Sequence, residues 1–159
     1  MVEIRPCRED DYRSIARLLR QLWPSASIDD DRLQSVYLRG LKSEACHFSC
    51  AVEDGNVIGF CSVILKNSLW QQGWLAHVDE LVVDEAARGQ GIGTQLLEAA
   101  IQIAAARGAA RIELDSGFHR TDAHNFYQQR GFENRAFLFS KILHRGIMSP
   151  GQPSSKRKL

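Results

Sequence analysis

The stretch ELVVDEAARGQGIGTQLLEAA, residues 80–100, places three glycines between a Leu- and Val-rich run and a helical pattern. Its first part is typical of a buried central strand. Residues 93–108, GTQLLEAAIQIAAARG, have helical spacing, and Gly108 closes them. Glycines at a strand-to-helix junction let backbone N–H groups approach an anion, because no Cβ stands in the way. The stretch therefore predicts an anion-binding loop between a strand and a helix.

Three phosphate-binding patterns could account for these glycines. The dinucleotide pattern Gly-x-Gly-x-x-Gly fails, because Thr94 stands where its last glycine belongs. The Gly-Lys-Ser/Thr ending of a P-loop fails too, because no lysine lies between Lys66 and Lys141. The pattern Arg/Gln-x-x-Gly-x-Gly/Ala matches residues 88–93 at every fixed position.

The rest of the chain alternates between strand and helix patterns. Two strand-like runs flank Asp54, Gly55 and Asn56, where Gly and Asn tolerate the positive φ of a tight hairpin turn. The element order is β-α-α-β-β-β-α-β-α-β, which predicts a mixed α/β sheet with helices on both faces. The predicted elements are a strand over 2–7, helices over 8–23 and 29–41, a hairpin over 47–65, a strand over 74–83, a helix over 93–108, a strand over 109–116, a helix over 121–131 and a last strand over 136–143.

Composition and charge argue against several classes of protein. The 159 residues include 20 basic and 19 acidic ones, a net charge of +1, which argues against a nucleic-acid-binding protein. No apolar run reaches membrane-spanning length, and the N-terminus is charged rather than signal-like. We therefore predict a cytoplasmic protein without a membrane partner. It would have a single domain over 1–143 and a flexible tail over 144–159, which is rich in Pro, Ser and basic residues.

The cysteines raise the question of a metal site. Cys46 and Cys50 flank His47, but a zinc site needs a second ligand pair at regular spacing, and the sequence has none. Together with Cys7 and Cys61, they are more typical of reduced, mostly buried thiols. The sequence therefore predicts no metal.

Two motifs resemble those of one enzyme family. Residues 80–100 look like the acetyl-CoA-binding motif of the GNAT superfamily of N-acetyltransferases. AHNFYQQRGF, residues 123–132, resembles that family's late helix, which ends in Tyr-x-x-x-Gly-Phe. The resemblance runs from the first strand to about Leu143. It implies the GNAT fold, acetyl-CoA as co-substrate and transfer of the acetyl group to an amine, and the anion at the glycines would be the coenzyme A pyrophosphate.

The resemblance implies two catalytic residues. Glu80 lies on the strand that runs alongside acetyl-CoA in this family, where a carboxylate would take a proton from the amine, directly or through water. Its neighbour Asp79 should point to the opposite face, because strand side chains alternate. Tyr127 matches the family tyrosine whose hydroxyl donates a proton to the coenzyme A sulfur. The structural alternatives are a salt-bridged carboxylate for Glu80 and a core aromatic for Tyr127.

The resemblance also implies a set of cofactor-binding residues. Backbone N–H groups near 81–83 would stabilise the oxyanion and pair with the pantetheine arm as a strand does. Many family members carry an asparagine before the tyrosine. Here that position is close to Arg120, and Ser116 and His124 are the alternatives. The predicted cofactor-binding residues are Leu81, Val82, Val83, Arg88, Gly89, Gln90, Gly91, Ile92, Gly93, Thr94, Ser116 and Arg120.

The sequence says less about the acceptor amine. ELVV…ARG, DAHNFY and FSKIL are similar to aminoalkylphosphonate N-acetyltransferases, whereas LLRQLWP followed by aspartates at 29–31 is similar to aminoglycoside 6'-N-acetyltransferases. The aspartates would suit a polycation, although a solvated loop and helix N-cap is the preferred interpretation. Scattered His and Arg residues would suit an anionic substrate. The predicted substrate-binding residues are Trp23, Trp74 and Asp79. Trp70 and Trp74 would wall an amine pocket through cation–π contact, or would simply pack.

Two other functions and the oligomeric state stay open in the sequence. The first is acetylation of a protein or peptide N-terminus, which would need an open groove beside the early helices. The second is a non-catalytic acyl-CoA-binding module, against which the presence of both Glu80 and Tyr127 argues. Dimerisation is common in the resembled fold, and a homodimer could form through the last strand. The predicted partner is a small-molecule amine.

Overall fold

The computed structural model describes residues 1–143, which form a five-stranded sheet and four α-helices. Short 3-10 turns at Glu9–Asp11 and Glu85–Ala87 precede the first helix and the glycine loop. None of the helices in this part of the chain is long and apolar enough to cross a membrane. The elements are β1 (Glu3–Pro6), α1 (Tyr12–Leu22), α2 (Asp30–Leu41), β2 (Cys46–Glu53), β3 (Asn56–Ser68), β4 (Gly73–Val83), α3 (Ile92–Ala106), β5 (Arg111–Leu114) and α4 (Thr121–Gln128).

The sheet is mixed, as predicted. Its strands lie in the order β1-β2-β3-β4-β5, and every neighbouring pair is antiparallel except β4 and β5, which are parallel. The β2–β3 turn contains Asp54 and Gly55, with φ of 49° and 79°. This left-handed geometry confirms the hairpin predicted from the turn residues. The predicted tail over 144–159 lies outside the described residues.

The sheet separates two hydrophobic cores. On one face, the α3 face, Leu96 and Leu97 pack against β3 and β4. Gly59 on β3 permits this close approach, since a Cβ there would lie 2.8 Å from Leu96 Cδ1. On the other face, the α1–α2 face, Ile15 and Leu18 are fully buried. A buried side chain of this size stabilises the fold by roughly 1.5–3 kcal/mol, so both helical layers are held by burial.

The cysteines confirm the predicted interpretation, because Cys7, Cys50 and Cys61 are buried and all four cysteines are free thiols. The sulfur atoms of Cys7 and Cys50 lie within 4.8 Å of an Asp11 oxygen. Both oxygens of that carboxylate already accept hydrogen bonds from Arg5, at 2.8 and 2.9 Å. The Arg5 guanidinium therefore supplies the positive charge next to Cys7, Cys50 and Asp11.

A β-bulge at Asp79 interrupts β4 at the point where the acidic residues lie. Ser62 pairs with Glu80, and the next residue on β3 pairs with Val78, which leaves Asp79 as the extra residue. Val78 packs in the core of the α3 face, whereas Glu80 and Val82 lie on the α1–α2 face. The alternation of side chains therefore resets at the bulge. The expectation that Asp79 and Glu80 point to opposite faces assumed strict alternation, which holds only in a regular strand, and the bulge at Asp79 interrupts it.

The predicted last strand is also wrong for the residues that the structure describes. Residues 136–143 are irregular, and β5 is the final strand before α4. The alternating apolar pattern shows that a segment is able to pair, but it does not supply the neighbouring edge that a strand needs.

Candidate active site

The glycine loop forms an open cradle at the start of α3. Gly89 and Gly91 have φ of 77° and 80°, a conformation that a residue with a Cβ adopts only at a cost. No atom lies within 4 Å of the position that a Cβ would take at either glycine. The N–H groups of Ile92, Gly93 and Thr94 open the helix and have no intrahelical acceptor. Because the helix dipole adds positive potential here, the loop is suited to bind an anion.

Two arginines bring positive charge to this cradle. Arg88 lies half-exposed, and its Nε donates to the Val83 carbonyl at 3.1 Å. Arg130, just beyond α4, donates from Nη2 to Thr94 Oγ1 and stacks 3.8 Å from the Phe126 ring centroid. Sequence reasoning missed Arg130, because the motif Tyr-x-x-x-Gly-Phe leaves its position unspecified and Thr94 is 36 residues away.

The parallel strands β4 and β5 separate next to the cradle. Their pairing ends at Val78 and Leu114, although β4 continues to Val83. Beyond that point, the edge of β4 over residues 79–83 has no strand partner on the β5 side within the described chain. We call this opening the β4–β5 fork. Its free backbone groups belong to the predicted cofactor-binding residues 81–83, and Leu81 packs towards α3.

Glu80 lies at the fork on the α1–α2 face. Its Oε2 accepts a hydrogen bond from the Ser62 hydroxyl, and Ser62 Oγ accepts one from the Glu80 N–H at 3.0 Å. Burial raises the pKa of Glu80 above its ordinary value, and this effect outweighs the opposing hydrogen bond from Ser62. The negative charge of Asp79 raises it further, whereas His77 lowers it. The carboxylate is therefore held in place and is more basic than a carboxylate on the surface.

Glu80 forms the charged end of an apolar pocket between α1, α2 and the sheet. Trp23, one of the predicted substrate-binding residues, lines this pocket. Trp74 is elsewhere, 44% exposed near the start of β4 and paired with Asn67 on β3. The pocket residues come from five elements, α1, α2, β2, β3 and β4, and most are aromatic or aliphatic. They are Tyr12, Ile15, Leu19, Trp23, Leu33, Val36, Tyr37, Phe48, Phe60 and Glu80.

Asp79 takes part in a second group of charges that spans the fork. Its Oδ1 lies 2.6 Å from Nδ1 of His77, and Nε2 of the same ring lies 3.2 Å from Oδ2 of Asp115, which follows β5. The hydrogen bond with Asp79 raises the pKa of His77, and both carboxylates add to this effect, although burial and Lys66 oppose it. The sequence suggested histidines only as partners of an anionic substrate. In the structure, His77 already has carboxylates on both sides, and it links β4 to the end of β5.

Tyr127 lies on α4, on the opposite face of the sheet from Glu80. Its ring packs edge-on against Phe126, with centroids 5.3 Å apart, and against Phe132 at 5.8 Å. Burial raises the pKa of the Tyr127 hydroxyl, nearby Cys61 raises it further, and Arg120 lowers it. Within residues 1–143 the hydroxyl makes no hydrogen bond. A half-buried phenol whose hydroxyl has no partner among the described residues is available to a ligand that enters the fork.

Ser116 and Arg120 lie after β5 and differ in their surroundings. The Ser116 hydroxyl is buried and has no hydrogen-bond partner among the described residues. Such a group favours a ligand contact.

Arg120 instead donates from Nη2 to the Leu22 carbonyl at 2.8 Å. The structure therefore places Arg120 at Leu22, the last residue of α1 and the chain neighbour of Trp23, and not at the glycine cradle. His124 Nε2 lies 3.0 Å from the Gly117 carbonyl.

Comparisons with known proteins agree with this geometry. The Acetyltransferase (GNAT) family matches residues 11–132. An aminoalkylphosphonate N-acetyltransferase of Salmonella typhimurium is 32% identical over 141 residues, covering 89% of this chain and 91% of that protein. A glucosamine 6-phosphate N-acetyltransferase of Oryza sativa is 28% identical, with coverage of 81% and 79%. An aminoglycoside N-acetyltransferase whose structure contains CoA has the same fold, with a TM-score of 0.79, 21% identity and coverage of 89% and 95%.

These similarities confirm the resemblance seen in the two sequence motifs. The family match includes both the glycine cradle and Tyr127, and the Salmonella relative aligns along nearly its whole length. The chain is therefore an acetyl-transferring enzyme, and it belongs to the GNAT family of acetyltransferases.

Proposed function

We propose that this enzyme transfers the acetyl group of acetyl-CoA to the primary amine of a small molecule that also carries a phosphonate-like anion. Glu80 is the base and Tyr127 is the acid. The observation that carries the proposal is the position of the Glu80 carboxylate, with its raised pKa, at the end of an apolar pocket beside the β4–β5 fork. The pocket would bind the amine, and the fork and the cradle would bind the acyl donor.

The chemistry requires a base, because an alkylamine is protonated near neutral pH, with a reference pKa of about 10. Glu80 accepts the ammonium proton, and the free nitrogen attacks the thioester carbon. A base acts best when its pKa is close to the working pH, so burial of Glu80 favours this role. The Ser62 hydroxyl holds one carboxylate oxygen, and the other oxygen is left for the amine or for a bridging water.

Collapse of the tetrahedral intermediate breaks the carbon–sulfur bond and needs a proton for the thiolate. The hydroxyl of Tyr127 donates that proton to the sulfur, the nitrogen of the new amide releases its remaining extra proton to solvent, and solvent returns a proton to Tyr127 and removes the one held by Glu80. Backbone N–H groups over residues 81–83 stabilise the oxyanion, because the fork leaves this edge of β4 without a strand partner. Glu80 and Tyr127 thus act from the two faces of the sheet, one on the amine and the other on the leaving group.

The acyl donor would be held by backbone N–H groups, by a buried hydroxyl and by two arginines that lie beside the cradle. The first N–H groups of α3 and the side chains of Arg88 and Arg130 suit the pyrophosphate. The strand edge over 81–83 suits the amides of the pantetheine arm, and the Ser116 hydroxyl suits a further polar contact. These groups support acetyl-CoA as the co-substrate, as expected in a family of this name.

The charged residues near the pocket favour an anionic acceptor over a polycation. Asp29 caps α2 by accepting from the Arg32 N–H at 3.0 Å. Asp30 accepts from Arg20 at 2.7 Å and from the Tyr12 hydroxyl at 3.1 Å. Two of the three aspartates on which the aminoglycoside-like acceptor was based are therefore engaged in structural roles.

One positive charge, that of Arg120, lies at Leu22, the chain neighbour of the pocket residue Trp23. Arg120 binds the last carbonyl of α1, next to Trp23, and would pair with a phosphonate oxygen. The Salmonella relative is named for aminoalkylphosphonates, which combine an amine with such an anion. These observations support an aminoalkylphosphonate-like acceptor.

The test is thiol release from acetyl-CoA with a panel of acceptors. The panel contains aminoalkylphosphonates, glucosamine 6-phosphate, aminoglycosides, polyamines and short peptides. We expect turnover of phosphonate- or phosphate-bearing amines, and a higher KM for them in Arg120→Gln. Turnover of peptides alone would favour an N-terminal acetyltransferase. Acetyl-CoA binding without turnover of any acceptor would favour a non-catalytic module.

A further inference from the structure

The apolar pocket that ends at Glu80 contains free space between α1, α2 and the sheet. Nine of the ten described residues that line it are aromatic or aliphatic, and the tenth is Glu80. Protein interiors are close-packed, because the atoms that line an empty apolar cavity lose contacts. A free apolar space that ends on the proposed base is therefore suited to hold part of a ligand.

The hydroxyl groups of the two tyrosines in this pocket are engaged outside it. The Tyr12 hydroxyl donates to the Asp30 carbonyl at 2.8 Å, and the Tyr37 hydroxyl donates to the Arg8 carbonyl at 2.7 Å. The two tyrosines therefore offer the pocket their ring surfaces. A polar group that entered here would lose its hydrogen bonds with water without regaining them from either tyrosine.

Ring contacts fix the shape of the pocket wall. Tyr37 packs against Tyr12 and against Phe48, with ring centroids 5.6 Å apart in both pairs, and Phe48 packs against Phe60 at 5.7 Å. This row of rings runs from α1 through α2 to the sheet. Val36 on α2 also lines the pocket and is 50% exposed, so the pocket reaches solvent at Val36.

The size of the pocket limits the group that it can hold. Its free volume is about 80 Å³. A dry apolar cavity of about 150 Å³ holds a benzene ring, so roughly half that volume suits a branched alkyl group better than an aromatic ring. An isobutyl group therefore matches the pocket in both size and polarity.

We propose that the acceptor carries a branched alkyl group on the carbon that bears its amine, and that this group fills the apolar pocket while the amine lies at Glu80. Burial of the alkyl group stabilises the bound acceptor through the hydrophobic effect. The anion would stay outside the pocket, at Arg120. The inference rests on the proposed function for the amine, and it makes the residues around Val36 and Phe60 determinants of acceptor specificity.

The first test compares four amines that form a square. They are aminomethylphosphonate, its analogue with an isobutyl group on the amine-bearing carbon, and the same two amines without the phosphonate, which are methylamine and isopentylamine. We expect the isobutyl group to raise kcat/KM by roughly 10- to 100-fold within each pair that is turned over.

The square separates this inference from the proposed function. Equal kcat/KM for the two phosphonates would overturn the inference and leave the anionic acceptor intact. A preference for isopentylamine over methylamine, with no gain from the phosphonate, would support the inference and contradict the anionic acceptor. If none of the four is turned over, calorimetry with the CoA-loaded enzyme compares their binding, and equal affinity within each pair overturns the inference.

The second test changes the open side of the pocket. Val36→Asn places a polar side chain there, so the preference for the isobutyl-bearing amine should fall several-fold. Ser35→Asn is the matched control, because Ser35 is an exposed residue of α2 outside the pocket lining, and it should keep the full preference. The readout is the ratio of kcat/KM for the two amines of a pair, which does not depend on the fraction of folded enzyme. The same ratio in both variants would overturn the inference.

Discussion

The two faces of the sheet meet at the β4–β5 fork but are built differently. The α3 face obtains its anion cradle from one continuous stretch, residues 88–94, in which the loop and the helix start are neighbours along the chain. The α1–α2 face obtains its pocket from five separate elements, including the strand β4 that carries Glu80. A local motif thus forms the donor-binding side, whereas packing between distant parts of the chain forms the acceptor-binding side. The comparison suggests that donor binding and acceptor chemistry will respond separately to substitution.

The largest effect should come from the acceptor side. Glu80→Gln keeps the size of the side chain but removes its basicity, so kcat/KM should fall by roughly 100- to 10,000-fold. Glu98→Gln, on the exposed face of α3, is the matched control and should leave the rate unchanged. Steady-state kinetics with the preferred amine measure both. A loss shared by the two variants would contradict the assignment.

The Glu80→Gln variant also tests how the rate depends on pH. Because the pKa of Glu80 is raised, the rate should begin to fall at a higher pH than for an ordinary carboxylate, as protonation removes the base. The profile of kcat/KM between about pH 4 and 9 shows this acid limb, which lies above the ordinary glutamate pKa of about 4.3. Glu80→Gln should lack the limb. An unchanged limb in the variant would assign it to another group.

A smaller loss should come from the leaving-group side. Tyr127→Phe keeps the ring contacts with Phe126 and Phe132 but removes the proton donor. We expect kcat to fall by about 100-fold, near the lower end for general acid catalysis, because water replaces the hydroxyl in part. The KM for acetyl-CoA should change little. A fall in thermal stability with kcat intact would instead make Tyr127 a core aromatic only.

The donor side should respond mainly in binding. Gly91→Ala forces a residue with a Cβ to adopt φ near 80°, which costs about 1–2 kcal/mol of folding stability. The new Cβ meets no protein atom, but it would obstruct an anion that approaches the cradle. The KM for acetyl-CoA should therefore rise several-fold. Gly73→Ala is the control, because it also meets no atom and its φ is not positive. Equal effects of the two variants would argue against the cradle.

The smallest effect should come from the charges that span the fork. The pKa of His77 is raised in the folded state, so its stabilising contribution is fully present below the unfolded pKa of about 6.5 and is lost as pH rises through the folded pKa. The difference in unfolding free energy between the unmodified protein and His77→Gln should shrink as pH rises. It should stay below about 1 kcal/mol, because solvent screens Asp79 and Asp115. His119→Gln, at an exposed histidine, should show no such trend in urea unfolding.

Sequence reasoning succeeded where neighbouring residues decide the structure. The turn at Asp54 and Gly55, the α3 start at Gly91 and the placement of Tyr127 on α4 follow from local backbone preference and helical spacing. It failed at Asp79, because a bulge depends on the register against β3 and not on the residue itself. It failed again at residues 136–143, where the missing information was the edge to which a strand would pair.

The sequence by itself determined the family, the mixed sheet, the glycine cradle and the likeness of residues 123–132 to a catalytic helix. These features depend on glycine φ angles, apolar periodicity and motif spacing, all of which act over a few residues. Only the tertiary structure decided that a bulge at Asp79 precedes Glu80, that Arg130 reaches Thr94 and that Arg120 lies at the end of α1. Each of these contacts joins segments brought together by packing of the whole sheet, and no local preference encodes such packing.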